Sequence, residues 1–90
     1  MKNITQLKGL GPKSQALLAQ IGVHTAEQLL ERDPYQLYAE LKQRQANTSL
    51  NMLYALIGAQ ENLHWLEIKK HRRTEILLRL DDMRQVPRIS

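Results

Sequence analysis

Residues that start or stop helices recur so closely along this chain that it can fold only as a series of short helices. Pro12 and Pro34 suit the first position of a helix, where the N–H that proline lacks has no helical partner. Gly22 accepts the positive φ at which helices often end. Thr25, followed three residues later by Gln28, is typical of a capping box. Because β-branched residues are sparse and no apolar–polar alternation persists, the pattern predicts an all-α fold.

The apolar positions predict how these helices are arranged. We expect a compact bundle of five to six short helices, which opens with a single turn over residues 4–7 capped by Asn3. The segment 50–57 is the most apolar, so we place its helix at the centre of the bundle. The last helix is expected to begin between residues 67 and 70.

Composition restricts the class of protein. The chain has 90 residues, enough for one domain, and no Cys, which excludes disulfides and thiolate metal sites. No apolar run reaches the roughly 18 residues of a membrane span, and the N-terminus does not have the pattern of a signal peptide. We therefore expect a cytoplasmic protein without membrane contact, in which residues 1–84 form the domain and residues 85–90 a flexible tail.

The net charge of +4 is concentrated towards the C-terminus. Basic and acidic residues balance up to residue 68, and the whole excess lies beyond it. The densest run consists of Lys69, Lys70, Arg72 and Arg73. Such a patch favours polyanions as partners, but it is equally typical of a solvated helix face, and the sequence leaves both interpretations open.

One motif carries chemistry, because residues 7–14 resemble a helix-hairpin-helix turn. Gly9 would adopt positive φ, Leu10 would point into the junction of the two helices, and Gly11 would let another backbone approach. The N–H groups at the start of the next helix would face outward and attract an anion. Lys13 and Ser14 could then add a charge and a hydrogen bond to a phosphate. Alternatively, the turn only joins two helices.

The turn and the basic run together make a candidate nucleic-acid-binding site. Its residues are Lys8, Gly9, Gly11, Lys13, Ser14, Lys69, Lys70, Arg72 and Arg73. The partner would be DNA, bound without sequence selectivity, since phosphates carry no sequence information. The alternative is a protein–protein interaction module, or self-association, with the hairpin as scaffold; a large exposed apolar patch would favour it.

No group of residues supports catalysis or metal binding. Ser14, Thr25 and Ser49 suit helix caps and lack an evident His partner. The three His residues are scattered without metal-ligand spacing, and Asp81-Asp82 are expected to be solvated. We expect Trp65 to pack into the core rather than stack on a base. The prediction is a non-enzymatic module with no cofactor, no metal and no small-molecule substrate.

Several longer runs resemble a known family. They are Gly11-Pro12-Lys13-Ser14, Ile21-Gly22-Val23, the segment 24–29, the segment 49–56 with Gly58-Ala59, and His64-Trp65. Over about residues 7–80 the chain resembles the C-terminal domain of the TfoX (Sxy) family. The resemblance implies a bacterial, cytoplasmic regulator tied to competence (DNA transformation). Full-length members add an N-terminal α/β domain that this sequence lacks, so we expect either a stand-alone domain or a fragment.

Overall fold

The computed structural model describes residues 2–83; Met1, Arg84 and the predicted tail at residues 85–90 lie outside the described residues. A 3₁₀ turn and five α-helices follow one another: the 3₁₀ turn Ile4–Gln6, α1 Pro12–Ala19, α2 Ala26–Leu30, α3 Pro34–Arg44, α4 Leu50–Glu61 and α5 Trp65–Asp82. This part of the chain contains no strand, only an isolated bridge between Asn3 and Thr25. The predicted all-α bundle of short helices is confirmed.

Local capping determines where most of these helices begin. The Asn3 side chain caps the 3₁₀ turn, and Thr25 with Gln28 forms the predicted capping box at the start of α2. Asp33 caps α3, and Pro34 occupies its first position. Each signal lies within a few residues of the helix it starts, so the sequence pattern predicts these boundaries correctly.

The start of α5 corrects the prediction that the last helix begins between residues 67 and 70. It begins at Trp65, because the Nδ1 atom of His64 accepts a hydrogen bond of 3.1 Å from the backbone N–H of Leu66. Histidine is not among the residues that usually cap helices. The prediction therefore placed the start at the following charged residues instead.

Two apolar clusters form the core, and α4 lies between them. The first consists of Ile4, Leu10, Leu18, Val23, Leu29, Leu37, Leu41, Leu56 and Ala59. The second consists of Tyr35, Tyr38, Leu53, Tyr54, Ile57, Ile68, Ile76 and Leu80. Because α4 contributes to both clusters from opposite faces, its predicted central position is confirmed. It also fixes the N-terminal helices on one side and α5 on the other.

The connection between α4 and α5 is tight. Asn62 ends α4 in the left-handed region, at φ 59°, and the N–H of Leu63 donates to the Gly58 carbonyl at 2.8 Å. The Leu63 carbonyl oxygen lies 2.5 Å from where a Cβ of residue 58 would stand. Only glycine fits at that separation.

Candidate nucleic-acid interface

The turn that precedes α1 has the positive φ predicted for Gly9, and its Leu10 side chain points inward as predicted. Gly9 adopts φ +84°, where any side chain would be strained, and Leu10 is buried in the first cluster. Gly11 begins α1 without a side-chain cap, and no atom of the described chain lies within 4 Å of its missing Cβ. The approach of another backbone, expected at Gly11, is therefore not made within residues 2–83.

The first turn of α1 presents hydrogen-bond donors without helical acceptors. The N–H of Gln15 is the first to be paired, with the Gly11 carbonyl at 3.0 Å. The N–H groups of Lys13 and Ser14 precede it and have no acceptor inside the helix. The Lys13 side chain is exposed. The Ser14 hydroxyl lies 4.0 Å from the Met52 sulfur, which is its hydrogen-bond acceptor within the fold.

The four basic candidates on α5 differ in what they contact. Arg72 is hydrogen-bonded to Glu61 at the end of α4 and lies 3.5 Å from Glu75. These partners raise the pKa of Arg72, the hydrogen bond to Glu61 most of all. Arg72 therefore stabilises the contact between α4 and α5 rather than offering a free charge. The other three candidates are exposed and make no ion pair within residues 2–83: Lys69, Lys70 and Arg73.

A cleft of about 470 Å³ connects the turn with the start of α5. Its walls come from Gly9 and the first half of α1, the connection between α3 and α4, the first half of α4, and Trp65. Its floor includes the apolar side chains of Leu17, Met52 and Ala55. No carboxylate of residues 2–83 lines the cleft. The polar side chains that line it are Lys13, Ser14, Gln45, Asn47, Thr48, Ser49 and Asn51.

Trp65 links the cleft to the basic side of α5. Its half-buried indole lines the cleft and packs against the second cluster, and the exposed His64 ring stacks on it at a centroid distance of 5.8 Å. Lys69 lies one helical turn beyond Trp65 and Arg73 one turn further, so the three share one side of α5. Lys70 lies farther round the helix.

The structure thus unites part of the predicted site and leaves other members apart. Gly9, Lys13 and Ser14 share the cleft with Trp65, and a row made by Lys69 and Arg73 continues from it along α5. Other members of the predicted site do not line the cleft: Lys8, Gly11, Lys69, Lys70, Arg72 and Arg73.

The carboxamides of the cleft are not among the site residues predicted from the sequence. Gln45, Asn47 and Asn51 are exposed, and their side chains make no hydrogen bond within residues 2–83. The only sequence signal for them is the dense run of amides and hydroxyls over residues 43–51, and such a run is typical of an ordinary polar loop. The tertiary fold places this run against the turn, and together they line the cleft.

The remaining polar candidates have other surroundings. Thr25 is occupied as the cap of α2, and the Thr48 hydroxyl donates to the Gln45 carbonyl at 2.7 Å. Ser49 stands at the start of α4, but its side chain does not cap the helix. Within the described part of the chain, no three His, Asp or Glu side chains gather as they would around a metal ion. Nor does any helix there have the length and apolar character needed to cross a membrane.

Comparison with known proteins places this chain in a family. A crystal structure of an uncharacterized protein from Listeria monocytogenes, in a triclinic form, superposes with a TM-score of 0.79. The two sequences are 17% identical over 96% of this chain and 99% of that chain, so this likeness shows the fold alone. No curated protein matches the chain. The family model described as the TfoX C-terminal domain matches residues 1–80, and the chain therefore belongs to the TfoX C-terminal domain family.

Proposed function

We propose that this domain is a non-enzymatic module that binds the backbone of nucleic acid without sequence selectivity. The observation that carries the proposal is the cleft itself. No carboxylate of residues 2–83 is on its walls, and the cleft joins the free donors of the turn to the start of the basic helix α5. In the setting that the family resemblance implies, the module would serve a regulator of competence in the bacterial cytoplasm.

The distribution of ion pairs supports this proposal. Arginines engage several of the carboxylates inside the fold: Arg32 pairs with Glu40, Arg72 with Glu61 and Glu75, and Arg79 with Asp33. The lysines of the turn and of α5 make no ion pair within the described residues. Four of the carboxylates are thus paired with arginines, while the cationic charge of the turn and of α5 stays available, which favours a polyanion.

Salt dependence of binding tests the proposal. We expect four phosphate contacts, from Lys8, Lys13, Lys69 and Arg73. They predict a slope of about −3.6 when the logarithm of the binding constant for labelled duplex DNA is plotted against that of salt concentration. Lys13→Ala removes one contact, so its slope should flatten to about −2.7, at about 0.9 per contact. Fluorescence anisotropy at several salt concentrations measures both slopes.

Lys2→Ala is the matched control. It removes the same charge, but the backbone of Lys2 lies against α2, where its N–H donates to Glu27 at 3.1 Å. Its slope should equal that of the wild type. If folded protein binds neither duplex nor single-stranded DNA at about 50 mM salt, the proposal is wrong. The partner would then be sought among proteins, beginning at the exposed Leu63 and Leu66 beside the start of α5.

A further inference from the structure

We infer that the cleft holds one unpaired nucleotide of a single-stranded nucleic acid, with its phosphate at Lys13 and its base beside Trp65. The inference rests on the proposed function, because it assumes a nucleic-acid partner. It adds which form of nucleic acid the domain prefers, and it assigns a role to side chains outside the turn and the basic row.

The dimensions of the cleft fit a single nucleotide. Its volume of about 470 Å³ lies within the range of pockets that enclose small organic ligands. A stacked base pair within a duplex cannot enter such a cleft, since its bases face one another inside the helix. A single strand, in contrast, can turn one base outward into a protein pocket at little cost.

The lining of the cleft offers the kinds of contact that a phosphate and a base require. Lys13, with the free N–H groups of the first turn of α1, offers a cation and donors to a phosphate. Met52 and Ala55 offer apolar contact, and the Trp65 indole offers an aromatic surface to a base. These features lie on the walls of one cleft, which makes a single ligand sufficient to contact all of them.

The carboxamides supply what the edge of a base requires. Each carboxamide both donates and accepts hydrogen bonds, which matches the mixed donors and acceptors on base edges. Asn47 and Asn51 line the cleft, and neither side chain is engaged by another residue of the described chain. A phosphate can use only the N–H donors of these groups, whereas the edge of a base can use their acceptors as well.

The experiment compares one mixed-sequence DNA strand with the same strand annealed to its complement. Trp65 is the only tryptophan of the chain, so its fluorescence reports directly on the cleft. We expect the free strand to bind more tightly than the duplex and to quench the Trp65 emission through stacking. Anisotropy of the labelled strand gives the affinities, and the intrinsic emission shows whether the cleft is occupied.

Two exposed carboxamides are removed in the double variant Asn47→Ala/Asn51→Ala, which leaves the core and the charge unchanged. Its affinity for the free strand should fall about tenfold, as expected for two lost hydrogen bonds, while its affinity for the duplex stays the same. The control Gln36→Ala/Gln43→Ala removes two exposed carboxamides of α3 that lie outside the cleft. It should bind both forms of DNA like the wild type.

The outcomes separate this inference from the proposed function. Equal affinity for the free and annealed strands, with unchanged Trp65 emission, would overturn the single-strand inference and leave backbone binding in place. A double variant that weakens both forms equally would overturn it as well, since the carboxamides would then contact the backbone. Failure of both DNA forms to bind would overturn both proposals.

Discussion

At residue 58 a single missing methyl group decides how closely the chain can return on itself after α4. Gly58→Ala would place a Cβ 2.5 Å from the Leu63 carbonyl oxygen, which is backbone and cannot rotate away. Alanine normally stabilises a helix relative to glycine, but here the clash should dominate. We expect the free energy of unfolding to fall by about 2 kcal/mol in urea denaturation.

Gly11→Ala is the control for this prediction, because nothing lies within 4 Å of the added methyl. Its φ of −111° is also accessible to alanine, so its loss of stability should be only the roughly 0.5–1 kcal/mol by which alanine is a poorer N-cap than glycine. Stabilisation by Gly58→Ala would show that the connection between α4 and α5 is wider than the structure has it.

At the scale of single elements, α2 depends on its neighbours. It has five residues, too few to be stable alone. Thr25 and Gln28 cap its start, and the side-chain amide of Gln60, from α4, donates to the carbonyls of Leu29 and Arg32 at 3.1 and 2.7 Å. A residue 31 positions away in the sequence thus binds the end of this helix.

Gln60→Met keeps the length of the side chain and removes both hydrogen bonds. Two partly buried carbonyls would lose their partner, and we expect stability to fall by about 1–2 kcal/mol. Gln36→Met, at an exposed position without a side-chain hydrogen bond, should change it by less than about 0.5 kcal/mol. Thermal unfolding followed by circular dichroism compares the two variants, and equal losses would contradict the capping role of Gln60.

The helix boundaries show what local sequence can predict. Asn3, Thr25 and Asp33 cap helices through neighbours only two or three residues away, and those boundaries are confirmed. His64 also caps locally, but imidazole is an uncommon cap, and the predicted start of α5 was therefore wrong. The sequence pattern predicts which segments form helices, whereas a boundary that depends on an unusual cap becomes evident only in the structure.

The candidate site shows the complementary limit. The conformation of Gly9 is local and was predicted from its sequence context. Whether Arg72 is a free charge depends on Glu61, 11 residues away on another helix. The cleft combines the turn with Trp65, which lies far along the chain. Neither of these two contacts follows a periodic pattern in the sequence, so the residues involved can be recognised as neighbours only in the folded structure.

At the scale of the whole molecule, the start of the chain is held against α2 by the Glu27 carboxylate and by a backbone hydrogen bond of 2.9 Å from Ala26 to the Lys2 carbonyl. Both Glu27 oxygens accept from the Lys2 N–H at 3.1 Å. Backbone hydrogen bonds, first from the N–H of Glu27 itself and then from Lys2, hold the pKa of Glu27 below its ordinary value of 4.5. A carboxylate with a lowered pKa stabilises the fold above that ordinary value, and its contribution disappears as pH falls through the lowered one.

Glu27→Gln should therefore be less stable than the wild type at neutral pH, and the difference should close as pH falls below 4.5. Urea denaturation of both proteins across this range measures the difference. Comparing the two proteins at each pH cancels the contribution of the other titrating groups. A difference that stays constant down to strong acid would mean that ionised Glu27 does not hold the N-terminus.

Because α4 lies between two clusters, the order in which the chain is synthesised determines which cluster can form first. The ribosome releases the N-terminal part first, and residues up to Ala59 suffice to complete the first cluster. The second cluster stays incomplete until α5 is synthesised, because Leu53, Tyr54 and Ile57 pack against Ile68, Ile76 and Leu80 of that helix. A chain that has emerged from the ribosome only as far as residue 61 would therefore carry one complete apolar cluster and one open apolar face. The helix that buries this apolar face is α5, which also carries the basic residues Lys69 and Arg73.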